Sequence, residues 1–315
     1  MTDVLSDVLA HLDLHSVRCT RLEASAPWSL RFTLRTMLKF VAIMKGEAWL
    51  ISDGEAPVRL HQRDSFFLAS GASYVVTSDP ALPPADGLGA FDWDSGDTAR
   101  FGGADTIMLG GGFDVRGSPF DFLFEALPKM IHIPAGDPSA HALRLSLSLM
   151  DSELANRAMG REAAARSLAD VLLVHALRVY AARTGVGRSA WLSSLADPQI
   201  GRALAIMHAE PGRAWTVSEL ARGVGMSRSA FADHFVRKVG LPPLGYLTRW
   251  RLERACTALR AGALSIVEIA QAAGYGSESA FGLAFKRQFG ISPGRYRKSF
   301  APTGCRTRAV PLIVP

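Results

Sequence analysis

One stretch of this 315-residue chain occurs twice. Ser227–Gly240 reads SRSAFADHFVRKVG, and fifty residues on Ser277–Gly290 reads SESAFGLAFKRQFG, identical at seven of fourteen positions. The segments ahead of the two copies also match: TVSELARGVG (Thr216–Gly225) and SIVEIAQAAG (Ser265–Gly274). In each, Thr or Ser is followed three residues later by Glu (Thr216 and Glu219, Ser265 and Glu268), the spacing of a capping box that fixes where a helix begins. Gly225 and Gly274 stand where that short helix must end and the chain must turn, in a backbone conformation that favours glycine. Ser227 and Ser277 then cap a second helix. The pattern predicts two helix-turn-helix units in one all-α domain.

Phe231 and Phe235 lie one turn apart on the second helix of the first unit and mark its buried face. At about 100° per residue, Ser229, Asp233 and Val236 fall on the opposite side, with Ala232 and Arg237 flanking. The second copy puts Ser279, Leu283 and Lys286 there, flanked by Gly282 and Arg287. Serine hydroxyls at the start of such a helix suit base edges, and Arg237, Lys286 and Arg287 suit phosphates. Asp233 is repelled by phosphate unless it accepts from a cytosine amine, and Leu283 offers only apolar contact, as with a thymine methyl. The candidate DNA-binding residues are Arg228, Ser229, Ala232, Asp233, Arg237, Ser277, Glu278, Ser279, Leu283, Lys286 and Arg287. For each basic residue the plain alternative is a solvated charge. Between the units, Pro242 and Pro243 open a helix predicted to run to about Arg260. It is a spacer of ~25 Å at ~1.5 Å per residue, suited to recognition helices in groove faces ~34 Å apart. Arg249, Arg251 and Arg254 on it are phosphate contacts or solvated charges.

The charge distribution agrees. Residues 1–197 carry 18 Lys/Arg against 23 Asp/Glu, and residues 198–315 carry 17 against 6. The basic half is the one with the repeat, which points to a polyanion partner there. Cys19, Cys256 and Cys305 show no metal spacing, which argues against a zinc site or disulfide framework. No apolar run approaches the ~20 residues of a membrane span. The opening MTDVLSDVLAHLDL is acidic and amphipathic, unlike a secretion signal. A cytoplasmic location is expected.

The first 135 residues alternate in short β-rich runs (Leu30–Met37, Phe40–Met44, Ala48–Ile51, Val58–Leu60, Ser65–Leu68, Tyr74–Thr77 and the later Thr106–Gly110). Gly, Asp and Pro punctuate them, as in an antiparallel barrel or sandwich. Pro80–Gly103 reads as a long mobile loop. From residue 136 to 183 the pattern is helical, with candidates Ala140–Leu154 and Arg161–Arg183. These helices either pack on the barrel or form a dimerisation surface. Residues 184–197 read as a linker, and 301–315 as a disordered tail.

Residues 198–300 resemble the DNA-binding domain of the AraC family of transcription regulators. The closing GYGSESAFGLAFKRQFGISPGRYR (Gly274–Arg297), with Pro293 and Tyr296, is nearly that family's signature. RLHQRDSFFLASGASYVV (Arg59–Val76) and LFEALPKMIHI (Leu123–Ile133) make residues 1–135 resemble the cupin-type sensor domain of one branch of the family. The resemblance implies an α+β multidomain chain: a cupin-like β-barrel plus helices, then an all-α double helix-turn-helix domain. The chain departs from the family at Asp233 and Leu283, where relatives often carry a basic or long polar residue, so site specificity does not transfer.

The implied function is sequence-specific binding to promoter DNA, gated by a signal in the N-terminal half. The expected partners are double-stranded DNA, a small-molecule effector in the barrel, a second copy of the chain and, for an activator, RNA polymerase. No cofactor is expected. The alternative signal is oxidation: Cys19, near His15, Arg18 and Arg21, is a candidate thiol of lowered pKa, with a small buried side chain as the plain alternative. Many cupins hold a metal through histidines. Tyr74 stands at one such position and His61 lacks partners at convincing spacing, which weakens the other reading, a metal-dependent cupin enzyme fused to a DNA-binding module.

Overall fold

The computed structural model describes residues 3–11, 15–33, 38–52, 56–69, 73–91, 97–114, 127–156, 158–183 and 190–300. The expected 301–315 tail, with Cys305, lies outside them. The described residues divide into two compact units, one formed by residues 4–202 with 237–240, the other chiefly by 203–236 and 241–300.

The first unit opens with helix α1 (Val4–His11), followed by strands β1 (His15–Ala24), β2 (Ser29–Thr33), β3 (Leu38–Lys45), β4 (Ala48–Ser52), β5 (Val58–Leu60), β6 (Ser65–Ala69), β7 (Ser73–Thr77), β8 (Ala85–Asp86), β9 (Thr98–Phe101), β10 (Thr106–Asp114) and β11 (Met130–Ile133). They form two sheets, in the orders β11-β6-β3-β10-β1-β9 and β5-β4-β7-β2-β8. The expected barrel is thus a pair of sheets that share a core, cupin-like without closing into one ring. Leu22, Val41, Ile43, Phe66 and Met108 from the larger sheet pack with Leu30, Phe32, Leu50, Tyr74 and Val76 from the smaller. Phe32 stacks on Tyr74 with ring centroids 5.4 Å apart, and Phe66 meets Tyr74 edge-on at 6.1 Å.

Successive side chains of a strand face opposite ways, so Phe40 and Phe67 lie on the other face from Val41 and Phe66. There Phe40 packs with Phe67 and Phe113. Helices α2 (His141–Ala155) and α3 (Arg161–Arg183) pack on each other and against β1, and α2 also reaches β3. Their buried rows, Leu143, Leu147, Met150 and Leu154 on α2 and Ala169, Leu172, Leu173 and Ala176 on α3, recur at helical spacing. The buried rows of the helix pair therefore cover the sheet, and its outer face carries exposed residues.

Two sequence expectations are corrected here. Pro80–Gly103 is no uniform loop: β8 pairs in parallel with β2, β9 pairs in parallel with β1, and Phe91 and Asp97 are buried. The linker stretch contains a helix, α4 (Ala190–Leu195).

Beyond it come α5 (Pro198–Ala209), α6 (Val217–Gly223), α7 (Arg228–Val239), α8 (Pro243–Ala261), α9 (Ile266–Ala272), α10 (Glu278–Phe289) and α11 (Pro293–Phe300). Around α8, Leu252, Cys256 and Leu259 pack with Ile269, Phe281, Phe285 and Tyr296. Around the first helix-turn-helix, His208 stacks on Trp250 at 4.0 Å and bonds the Tyr246 hydroxyl at 2.7 Å, while Phe235 meets Tyr246 edge-on.

Candidate nucleic-acid interface

Each unit is built as its caps require. Thr216 Oγ1 accepts from the Glu219 amide (3.2 Å), and the Glu219 carboxylate accepts from the Thr216 amide (2.8 Å). Ser265 and Glu268 repeat the pair at 3.2 and 2.7 Å. The Thr216 hydroxyl, which donates to the Glu219 carboxylate at 2.7 Å, and the Thr216 amide hold Glu219 below the ordinary range, and the Ser265 amide does the same for Glu268. Gly225 and Gly274 take φ of +71° and +77° after the short helices. Ser227 Oγ accepts from the Ala230 amide at 3.3 Å and Ser277 Oγ from Ala280 at 3.1 Å, which starts α7 and α10.

The second helices carry the aromatic pairs inward. Phe231 and Phe235, like Phe281 and Phe285, are fully buried, with ring centroids 5.6 Å apart in both units. Arg228, Ser229, Asp233 and Arg237 are exposed on α7, and Ala232 is partly buried beside them. Ser277, Glu278, Ser279, Leu283, Lys286 and Arg287 are exposed at the start and along the outer face of α10. Leu283 is 73% exposed, which is unusual for a leucine in a packed helix and leaves it open to a contact from outside.

Two of the spacer arginines do a different job from either one expected of them. Arg251 donates from Nε to the Pro211 carbonyl (2.5 Å) and from Nη2 to that of Arg213 (2.6 Å). Arg249 lies 3.6 Å from the buried Glu253 carboxylate, one turn along α8. Both are internal ties of the helical domain, and only Arg254 keeps the open choice. The loop that Arg251 holds also meets the second unit's turn. A β-carbon added to Gly274 would lie 2.4 Å from the Gly212 carbonyl oxygen. The loop ahead of the first unit is thus fixed between the spacer helix and the second unit's turn. The closing motif ties α11 to α8: Arg260 donates to the Tyr296 hydroxyl from Nε (2.9 Å) and Nη2 (2.7 Å) and lies over the Phe300 ring.

The setting of Cys19 opposes the lowered pKa expected of it. Cys19 is buried, and desolvation, with the carboxylates of Asp97 and Asp170 nearby, pushes its thiol up to about 12. Arg21, which was expected to lower it, is held by Glu23 and by Asp151 at 2.8 Å. Burial and the Asp97 and Asp170 carboxylates therefore work against the lowered pKa expected of the thiol. Cys256 is likewise buried and pushed up to about 12. Among the described residues no group of three or more His, Cys, Asp or Glu is arranged to hold a metal ion, and no helix is long and apolar enough to cross a membrane.

Residues 3–182 match the family described as Cupin, and residues 220–299 the family described as Helix-turn-helix domain. The DNA-binding domain of AdpA, described as a global transcriptional factor and solved in complex with a target DNA, is 30% identical. The match covers 33% of this chain and 92% of that one, with a TM-score of 0.31. Two proteins described as putative AraC-like transcription regulators, from Streptomyces lividans and Streptomyces antibioticus, are 40% and 39% identical over 298 and 302 residues. The matches span 94% and 95% of this chain and 98% and 100% of theirs. With full-length relatives at that identity, and a cupin domain ahead of a helix-turn-helix domain, the chain belongs to the AraC-like transcription regulators.

Proposed function

We propose that the chain reads two neighbouring segments of promoter DNA, one with α7 and one with α10, and switches transcription when a small molecule binds its cupin half. The observation that carries this is the shared construction of the two units, each holding an aromatic pair inward and an uncovered polar face outward. Ser229, Asp233, Ser279 and Leu283 are assigned to base edges, and Arg228, Arg237, Lys286 and Arg287 to phosphates. Ala232, Ser277 and Glu278 line the approach. The descriptions of the relatives as transcription regulators support the regulatory reading, and on it the chain acts in the cytoplasm without catalysis of its own, with RNA polymerase as a partner where it activates.

The test is to select genomic fragments with the purified protein at near-physiological salt and sequence them. The expected result is a motif of two half-elements about one helical turn apart, bound at least ~10³ times more tightly than competitor DNA. Uniform, salt-sensitive retention without a motif would instead describe a general architectural DNA binder. Arg287→Ala should weaken binding about equally on all sequences and lower the slope of log affinity against log salt by about one. Ser229→Ala should alter preference at one base position. Competition titrations across salt concentrations and single-base variants check both, and silence of both would misplace the recognition faces.

The same reading makes the helical region the dimer surface. Leu145 and Leu149, one turn apart on α2, are 55% and 58% exposed, and a paired exposed row of this kind is what a second copy covers. Leu145→Asp with Leu149→Asp should shift the protein from dimer to monomer in sedimentation without unfolding it. A wild-type protein that already sediments as a monomer would remove this part.

A further inference from the structure

Among the described residues, a cavity between the two sheets lined by Phe32, Lys39, Tyr74 and Met108 measures only about 20 Å³. A larger one lies on the other side of the larger sheet. About 380 Å³ opens between β1, Asp97 and the facing ends of α2 and α3, within the ~300–1,000 Å³ typical of small-molecule sites. From this cavity we infer a binding site for a small organic monocarboxylate, held by guanidinium groups with its apolar body against Leu154, Ala165 and Cys19.

The chemistry of the lining makes the argument. Arg18, Arg161 and Arg166 face the cavity with Asp97 and Glu162, and the Asp170 carboxylate reaches Cys19 and Arg166 from behind the lining, so the charges balance and the cations are oriented by carboxylates. The Asp97 side chain is only 5% exposed and accepts from Arg18 Nε and, at 3.1 Å, from Arg161 Nη2. A guanidinium carries five N–H donors in a planar fork, so its single bond to Asp97 orients Arg161 without exhausting it. That fork matches a carboxylate in a two-point contact. Arg161 and Arg166 also stand in the first two turns of α3, a 23-residue helix whose N-terminal end carries partial positive charge. With three carboxylates around three guanidinium groups, the site suits a single carboxylate better than a phosphate dianion. The apolar floor, with a thiol that stays protonated, suits a carbon skeleton. A β-bulge in β1 between Val17 and Thr20 alters the strict alternation there, and Arg18 and Cys19 line the same cavity.

The cavity joins the sheet to the two helices that the proposed function makes the dimer surface, so its occupancy deepens that reading by giving the gate a place. The test separates the two. Benzoate and hexanoate, with benzamide and inorganic phosphate as controls, are titrated calorimetrically into the full-length protein, and DNA affinity is measured in the same series. At least one carboxylate should bind while benzamide and phosphate do not. Arg166→Gln, an exposed position that leaves the Asp97 pairs in place, should weaken that binding roughly tenfold or more, the value of a charged hydrogen bond. Lys39→Met, inside the sheets, should leave it unchanged. No binding of either carboxylate, tighter binding of phosphate, or loss in Lys39→Met with none in Arg166→Gln would overturn the site. Carboxylate binding with unchanged DNA affinity would uphold the site and sink the gating reading instead.

Discussion

Gly274→Ala should destabilise the helical domain by about 3 kcal/mol, against about 1 kcal/mol for Gly225→Ala, although the two glycines hold equivalent places in the repeat. Both have positive φ, and an alanine there costs on the order of 1 kcal/mol from the clash of its β-carbon with the following carbonyl. At Gly225 no atom lies within 4 Å of the added carbon, so nothing more is lost. At Gly274 the carbon would stand 2.4 Å from the Gly212 carbonyl oxygen, which must move away. Arg251 resists that movement through its bonds to the carbonyls on either side, those of Pro211 and Arg213. Forcing an atom into a space so held costs roughly 1–3 kcal/mol more. Amide hydrogen exchange of the full-length protein, read over residues 264–290, measures the difference. Equal losses at the two glycines would mean that the Gly212 contact carries no energy. In an Arg251→Ala background the extra penalty at Gly274 should shrink, a non-additivity expected of groups that share one contact.

That asymmetry marks where sequence stops being informative. Caps, turn glycines and aromatic pairs were legible because each rests on spacings of two to four residues, and the exposed faces of α7 and α10 follow from helix geometry alone. Arg251 was not, since its carbonyl partners lie 40 and 38 residues away and a guanidinium on a basic helix reads as a phosphate ligand. Strand β1 escaped for a related reason. Its outward Arg21 and Glu23 are polar because they meet each other and Asp151 of α2, so the strand lacks an apolar signature. Asp97, inside a stretch rich in Gly and Pro, is buried only because Arg18 and Arg161 come to it from elsewhere in the chain. Cys19 went wrong through proximity in sequence: the cations beside it are engaged by carboxylates, and the charges that reach the thiol are those of Asp97 and Asp170.

Lys39→Met should raise the stability of the cupin domain at pH 7 by about 2 kcal/mol and its melting temperature by about 4–8 °C. Lys39 sits among Phe32, Tyr74 and Met108, its ammonium 4.4 Å from the Phe32 ring centroid and 5.1 Å from that of Tyr74. Burial lowers its pKa from 10.5 to about 8. A shift of that size corresponds to about 3 kcal/mol, of which the ring contacts that the methionine forgoes take back about 1 kcal/mol. The sign follows from proton counts. Below pH 8 the amine is charged in both states, and the folded protein bears the full cost. Between about 8 and 10.5 the folded form has released the proton while the unfolded chain still holds it, so stability rises with pH and the cost is gone above that window. The buried thiol of Cys19, pushed up from 9.0 to about 12, acts oppositely in the same domain: the unfolded chain loses that proton above pH 9 while the folded form keeps it, and stability falls. The wild type should therefore gain stability from pH 7.5 to 9 and then level or decline. The methionine variant should lack the gain and keep the decline. Thermal unfolding of both proteins across this range isolates the lysine, because the thiol cancels in the difference. A variant that melts lower than wild type at pH 7, or still gains stability between pH 8 and 9, would show that Lys39 reaches water or an anion and bears no burial cost.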